Sequence, residues 1–390
     1  MVHNEESDLI FIYHCPTEVL GIVRPKVSII WLNYNSMEFI NIVKESLLAL
    51  NDLDYDNYEV IIVDNASTDG SYEIVKSIAE KLHVKKKVIR NERNLGFTGG
   101  CNVGYQARDP DSKYIVLLNN DAIPFSDSLR NLVEYITSFE NVGAAQGIIL
   151  DMQSRKVDTA GDFLDEMVLT HQLLHSKDPS TLKKPITISY ADGAYAIFDV
   201  DAVKRATGFP NKIFYDELFA YFDDSVLGIQ LWNSGYKVIS CPFIAALHRR
   251  SSTFKQFLHK QLYYMVRGYY ALVEITNTRL KKIIRSQIVF KVIASVLQAM
   301  FYRLRGNRIP SITAIASAVY RGYVDGIAWG KKWLRNHSKP LDIYKVPIVT
   351  LNPRIVALTQ LGIGSAIRKR YYVKHIDDIL MRNLSSYYLE

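Results

Sequence analysis

The sequence predicts an α/β protein with a mostly parallel central sheet, followed by a basic, mainly helical C-terminal region. Three observations carry this reading. From Val27 onward, apolar runs of strand length alternate with stretches whose apolar residues recur at helical spacing. The strand-like runs end in polar residues such as Asn33, Asp64 and Asp121, and ligands of open α/β sheets bind beyond the carboxyl ends of the strands. Charge is divided along the chain: residues 1–254 carry 24 Lys and Arg against 34 Asp and Glu, net −10, whereas residues 255–390 carry 23 against 6, net +17.

The elements follow in order. Residues 1–24 read as an extension. "VSIIWLN" (27–33) is a buried strand; Ser36 is placed to cap the next helix, whose stripe runs Phe39, Ile40, Val43, Leu47, Leu50. "YEVIIVD" (58–64) is a second strand, Tyr72 to Leu82 a helix, Val84 to Arg90 a strand and Thr98 to Ala107 a short helix. "YIVLLNNDAIPF" (114–125) is a strand running into two amides and a carboxylate, and Ser126 or Asp127 is expected to cap a helix striped by Leu129, Leu132, Val133, Ile136 and Phe139. After Asp151 the alternation weakens; "ITISYADGAYAIFDVDAVKRATGF" reads strand, turn, strand, helix. A helix begins near Asp224 and stops near Gly235, and "KVISCPFIAALH" is a strand ending at His248.

Composition narrows the class. Three scattered cysteines, Cys15, Cys101 and Cys241, argue against a disulfide framework and for a reducing compartment. The start, "MVHNEESDLIFIYH", lacks a signal-peptide pattern, and no uninterrupted apolar run reaches the length of a membrane span.

The chemistry-bearing residues lie at the strand ends. Asn33, Asp64, Arg93 and Asp121 are expected to gather along one sheet edge. Asp64, opening "DNASTDGS", is a suitable acceptor for a nucleobase N–H or a ribose hydroxyl. "NERNLGFTGGCNVG" (91–104) fits neither the dinucleotide G-x-G-x-x-G spacing nor the phosphate loop ending in Gly-Lys-Ser/Thr, which weakens a nicotinamide dehydrogenase and a nucleoside triphosphatase. Gly99 and Gly100 would let backbone approach a ligand, with the following helix aiming its N-terminus at it.

Seven blocks, "VSIIWLNYN", "VIIVDNASTDGS", "NLGFTGGCNVG", "VLLNNDA", "DGAYAIF", "YFDDSVLGIQLWNSGYKV" and "ALHRRSS", occur in the order seen in glycosyltransferase family 2, so residues 25–255 resemble that family, with non-processive, rhamnosyltransferase-like members the nearest in look. The resemblance implies a GT-A fold, a nucleotide diphosphate sugar donor and a divalent cation, Mn2+ or Mg2+. Asn33, Asp64, Asn65, Arg93, Gly99, Gly100, Asn119, Asn120 and Asp121 would bind the donor. "NNDA" stands where the family has Asp-x-Asp, with Asn119 replacing the first carboxylate and Asp121 a metal ligand. Asp224 would be the base that deprotonates the acceptor hydroxyl in an inverting transfer, assisted by Asp223, in place of the usual Glu-Asp. Asp192 and Gly193 would lie near donor sugar or acceptor. His248 would be a metal or diphosphate ligand, and Arg249 and Arg250 replace the small residues usual after it.

The domain plan is therefore an extension (1–24), a GT-A catalytic domain (25–255) and a basic helical region (256–390). In that region "RLKKIIRSQIVFKVIASVLQAMFYRLRGNR" (279–308) suits a helix lying in a membrane interface, with Ile288, Val292, Val296 and Phe301 expected to be buried there. Tyr264 with Arg267 resembles the family's Tyr-x-x-Arg stretch, with Gly268 in place of Asn. The reading is an inverting glycosyltransferase moving one sugar to a glycan or lipid-linked glycan, cytoplasmic and peripheral on an anionic membrane surface, with no nucleic-acid partner. Its rivals are a nucleic-acid-binding protein using the basic, Tyr-rich tail, which the ordered acidic motifs disfavour, and an inactive transferase-like scaffold.

Overall fold

The computed structural model describes residues 24–250, 258–305, 310–353, 356 and 365–389. The expected extension at 1–24 and the expected boundary near 255 therefore lie almost wholly outside the described residues.

The N-terminal half is the alternating unit read from the sequence: β1 (Val27–Asn33), α1 (Ile40–Leu48), β2 (Tyr58–Asp64), α2 (Ser71–Glu80), β3 (Lys85–Arg90), α3 (Gly96–Ala107) and β4 (Tyr114–Asn119). It continues through β5 (Ala122–Pro124), α4 (Ser128–Ser138), β6 (Val142–Asp151), β7 (Val157–Thr159), β8 (Asp162–Asp165), β9 (Thr170–Gln172), β10 (Ile186–Thr187), β11 (Tyr195–Asp199), α5 (Val200–Thr207), α6 (Asp223–Asn233) and β12 (Lys237–His248). The main sheet has the order β10-β12-β6-β11-β4-β1-β2-β3. β3, β2, β1 and β4 are mutually parallel, and β11 enters antiparallel between β4 and β6. The buried β1, β2 and β4 are continuous runs of apolar residues, as a strand covered on both faces requires. β3, "KKKVIR", is the edge strand, and its lysines discourage further pairing.

Two local expectations change. Ser36 does not cap α1: its hydroxyl donates to Asn33 Oδ1 at 2.6 Å, and a short 3-10 turn, Met37–Phe39, starts the helix. Phe139 lies just outside α4 in extended conformation.

The C-terminal helices are α7 (Leu258–Ile275), α8 (Lys281–Ser286), α9 (Ile288–Leu304) and α10 (Ile312–Asn336); β13 (Ile348–Val349) and α11 (Ser365–Arg382) follow. β13 joins β8 and β9 in a second, three-stranded sheet. One hydrophobic core runs from Ile30 on β1 through Tyr269 to Val273 on α7 and on to Ile376 and Leu384, so this region packs on the sheet. α11 is tied down by the Tyr372 hydroxyl, which donates to buried Asp165, and the same carboxylate meets His171 Nε2 at 2.7 Å. No described helix is long and apolar enough to cross a membrane.

Candidate active site

The carboxyl ends of β1, β2, β4, β6 and β12 lie on one edge, and the polar residues read from the sequence gather there. They divide into two groups with different chemistry.

The first group is a hydrogen-bonded network at the ends of β1 and β2. Asn33 Nδ2 donates to Asp64 Oδ1 at 2.8 Å, and Asn120 Nδ2 donates to Asn33 Oδ1 at 3.0 Å. Asp64 also accepts the Ser67 hydroxyl and the Ser67 N–H, and Arg90 Nε lies 3.6 Å from its Oδ2. Asn65 donates to Asn94 Oδ1 and Gly96 O and accepts from Asn91 Nδ2 and Leu95 N–H. Asp64, read from the sequence as an acceptor for a nucleobase or ribose, thus already accepts three hydrogen bonds from the protein. Asn33, Asp64 and Asn65 are buried and spend their hydrogen-bonding capacity on the two loops. Arg93 is exposed and Asn119 half-exposed, while Asn120, also half-exposed, joins the network through Asn33.

The glycines serve packing. A Cβ on Gly100 would meet Leu32 Cδ1 at 2.5 Å, and one on Gly99 would meet Leu95 Cβ at 2.6 Å. Gly100 lets α3 pack closely against β1, and Gly99 leaves room for Leu95 at the start of the same helix. The N-terminal turn of α3 is itself occupied: Thr98 N–H donates to Phe219 O at 3.2 Å.

The second group is acidic. Register shifts in the pairing of β12 with β6 around Cys241–Ile244 let β12 run on to pair with β5, setting His248 opposite Ala122. His248 Nε2 then lies 3.3 Å from Asp121 Oδ1, and its Nδ1 lies 2.9 Å from Asp158 Oδ2. Arg250 Nε holds the other oxygen of Asp158 at 2.7 Å. Burial alone would depress the imidazole pKa, but the hydrogen bonds to Asp121 and Asp158 outweigh it and raise it to about 10. Asp158 is absent from the sequence reading, as is Asp162, whose buried carboxyl is pushed well above the carboxylate range by desolvation and by Asp192. Their one signal is an acid at each end of "DTAGD" within an otherwise apolar strand region (Val157, Ala160, Phe163, Leu164).

Asp223 and Asp224 open α6. Asp224 Oδ2 accepts the Gly193 N–H at 3.2 Å, while its Oδ1 is screened from solvent and has no hydrogen-bond partner among the described residues. Gly193 leaves room for this carboxylate, since a Cβ there would come within 2.9 Å of Asp224 Oδ1 and displace it. Asp192 is held by Gln146 Oε1, which accepts its N–H at 2.7 Å. Desolvation pushes Asp223 up to about 7, and desolvation with the charges of Asp223 and Asp192 pushes Asp224 well above the usual carboxylate range. Both carboxyls at the start of α6 are thus biased toward the protonated form.

The turn before α6 places three non-glycine residues at positive φ: Phe219 (64°), Tyr221 (72°) and Phe222 (64°). α7 holds it in place. Tyr264 stacks on Phe219 with ring centroids 4.4 Å apart, Gln261 Nε2 donates to the Tyr221 hydroxyl at 3.0 Å, and Arg267 donates to Glu217 O. Gly268 lets α7 approach, because a Cβ there would meet Tyr221 O at 2.8 Å. The Tyr-x-x-Arg stretch is thus a clamp on the segment that delivers Asp223 and Asp224.

Asp121 and His248 are the residues that could hold a divalent cation, and they fit the task in part. The carboxylate and Nε2 converge, and Asp158 fixes the ring through Nδ1, the arrangement that orients a metal-binding histidine. No group of three or more His, Cys, Asp or Glu side chains among the described residues is arranged to hold a metal, so further ligands would come from donor diphosphate and water.

Residues 28–206 match the family model described as glycosyl transferase family 2. An uncharacterized glycosyltransferase of Haemophilus influenzae is 29% identical over 120 residues, covering 31% of this chain and 35% of that protein. A dolichyl N-acetyl-alpha-D-glucosaminyl phosphate 3-beta-D-2,3-diacetamido-2,3-dideoxy-beta-D-glucuronosyltransferase of Methanococcus voltae is 22% identical over 245 residues, covering 61% of this chain and 71% of that protein. Among solved structures, the Pyrobaculum calidifontis mannosyltransferase PcManGT in complex with GDP-Man and Mn2+ matches 93% of this chain and 87% of its own, with 17% identity and a TM-score of 0.47. The matched segments span only 35%, 40% and 42% of the length of three of the curated relatives. With the sequence blocks and the strand-end site in place, residues 28–206 are identified as a domain of glycosyltransferase family 2.

Proposed function

We propose that this chain is an inverting glycosyltransferase that moves one hexosyl or deoxyhexosyl unit from a nucleotide diphosphate sugar to a hydroxyl of a glycan or lipid-linked glycan. The observation that carries this is Asp224: a carboxylate opening a helix at the strand-end edge, its Oδ2 fixed by the Gly193 N–H, and its Oδ1 without a partner among the described residues. A buried acid left half-satisfied costs stability and calls for a functional reason.

In this reading Asp224 Oδ1 accepts the proton of the acceptor hydroxyl while the hydroxyl oxygen attacks the anomeric carbon. The new C–O bond forms on the face opposite the departing nucleoside diphosphate, so the configuration inverts. Asp223 raises the proton affinity of Asp224, and Asp192 and Gly193 border the space for the reacting sugar. Arg93, Asn119 and Asn120 contact the nucleotide, and the network of Asn33, Asp64 and Asn65 fixes the loops that carry them. Asp121 and His248 hold the divalent cation, which when bound neutralises charge on the diphosphate.

The test is donor turnover by wild type and Asp224→Asn under identical metal and donor conditions. The variant should keep donor affinity and lose about 100-fold or more in turnover, the scale of general-base catalysis. Turnover within a few-fold of wild type would remove Asp224 from this role.

A further inference from the structure

α9 presents an apolar face to solvent. Val289, Phe290, Ile293, Leu297, Met300 and Leu304 are all exposed, from 45% at Met300 to 87% at Leu304. At 3.6 residues per turn they fall within about one third of the helix circumference. Of the four residues expected from the sequence to enter a membrane, Phe301 is exposed beside this face and the other three are not. Ile288, Val292 and Val296 are half-buried on the inner side, and Ile288 packs on the core. Soluble surfaces rarely carry so continuous an apolar stripe without a use.

The charge around the stripe is of one sign. Residues 279–305 contain seven Lys and Arg and no Asp or Glu. Arg303 lies at one border of the stripe and Arg305 at the other, its guanidinium 4.2 Å from the Phe301 ring centroid. On the inner side Lys291 sits 3.9 Å from the Tyr269 ring centroid and 4.9 Å from that of Tyr270. Across Tyr270, Tyr323 meets it edge-on at 4.7 Å and opens a groove of about 560 Å³. Val324, Ile327 and Ala328 help to line the groove, and Arg285, Lys331 and Arg335 bring its charge. Arg285 pairs with Glu274; Lys331 and Arg335 are exposed and have no ion pair among the described residues.

We propose that α9 and the adjoining groove form a docking surface for an anionic phospholipid bilayer. The stripe enters the headgroup–acyl boundary, and Lys331, Arg335 and the cations bordering α9 meet lipid phosphates. Complementarity selects this occupant. A second copy of the chain would bring the same acid-free basic face against itself. Nucleic acid would meet a stripe made chiefly of Val, Ile, Leu and Met, which gives bases little to stack on. The inference does not rest on the transfer chemistry, and its test requires neither donor nor turnover.

The experiment is cosedimentation of the full chain with phosphatidylcholine vesicles, alone and with phosphatidylglycerol added, at low and high salt. Added phosphatidylglycerol should raise partitioning about tenfold or more at low salt, and high salt should reverse most of the gain. An Ile293→Asp/Leu297→Asp variant should lose vesicle binding at unchanged melting temperature, since both side chains are exposed. Lys331→Glu/Arg335→Glu should bind neutral vesicles as wild type does and lose the response to phosphatidylglycerol. Four results would overturn the proposal: wild type staying in the supernatant with anionic vesicles at low salt; Ile293→Asp/Leu297→Asp binding like wild type; a wild-type dimer in sedimentation that this variant dissolves without any vesicle binding; or single-stranded RNA displacing the protein from vesicles while binding the variant equally.

Discussion

Asp158 is a single carboxylate that two cations share. It holds His248 Nδ1 at 2.9 Å and Arg250 Nε at 2.7 Å, which turns Nε2 toward Asp121. If Asp121 and His248 hold the cation, Asp158→Asn should weaken Mn2+-dependent binding of a nucleoside diphosphate about 10- to 100-fold, the usual effect of losing the partner that orients a ligating histidine. Calorimetric titration of Mn2+ with diphosphate present checks this; unchanged affinity would make Asp158 purely structural. Asp223 gives a second prediction. Burial lifts its folded pKa to about 7, while an unfolded chain holds an Asp near about 3.9. The folded state then binds more protons between those values, so this contribution to stability is present at acid pH and is lost as pH rises from about 4 through about 7. Asp223→Asn should therefore raise the melting temperature of the nucleotide-free protein more at pH 8 than at pH 5, as read by a thermal melt series. At this scale Asp121, Asp223, Asp224 and His248 stood out in the sequence because each lies at or beside the end of an element. Asp158 escaped because its role depends on β7 pairing with β6 beside β12, a long-range register with no local trace.

β1 and β2 were legible to the residue, since apolar runs covered on both faces and closed by Asn33 and Asp64 have clear limits. The loop before α6 was not. Its shape, with three non-glycine residues at positive φ, is imposed from outside by α7 through Tyr264, Gln261 and Arg267. The motif-like look of Tyr264 and Arg267 was visible; the partner they clamp was not. Gly268→Ala probes the clamp. Its Cβ would press on Tyr221 O at 2.8 Å and Phe222 Cδ2 at 3.0 Å, so the loop must yield. The expected cost is about 1–3 kcal/mol of stability, together with a fall in turnover and little change in donor affinity, because the donor side rests on β1, β2 and β4. A chemical-denaturation curve beside donor titration and turnover separates these effects; weakened donor binding with normal turnover would contradict the clamp.

The whole molecule combines an acidic front half, net −10, with a basic back half, net +17, and the two halves share one of the molecule's hydrophobic cores. The charge division was plain in the sequence; the shared core was not, because helical stripes in residues 256–390 do not say what they pack on. That core makes a further prediction. A chain ending at Arg250 would expose Tyr190, Phe214 and Val226, which now share a core with Tyr270, Leu272 and Ile376. It should lose near-ultraviolet circular dichroism and melting cooperativity; a cooperative, native-like truncation would show that residues 24–250 fold alone. The central claim is that the strand-end edge binds a nucleotide diphosphate sugar with a divalent cation. Its most direct test is calorimetry of a panel of nucleotide sugars against the full chain, with and without Mn2+, in wild type and Asp121→Asn. At least one donor should bind saturably to wild type, with affinity that Mn2+ increases and Asp121→Asn removes. Binding of no donor under any condition, or equal metal-enhanced affinity in wild type and Asp121→Asn, would contradict the account.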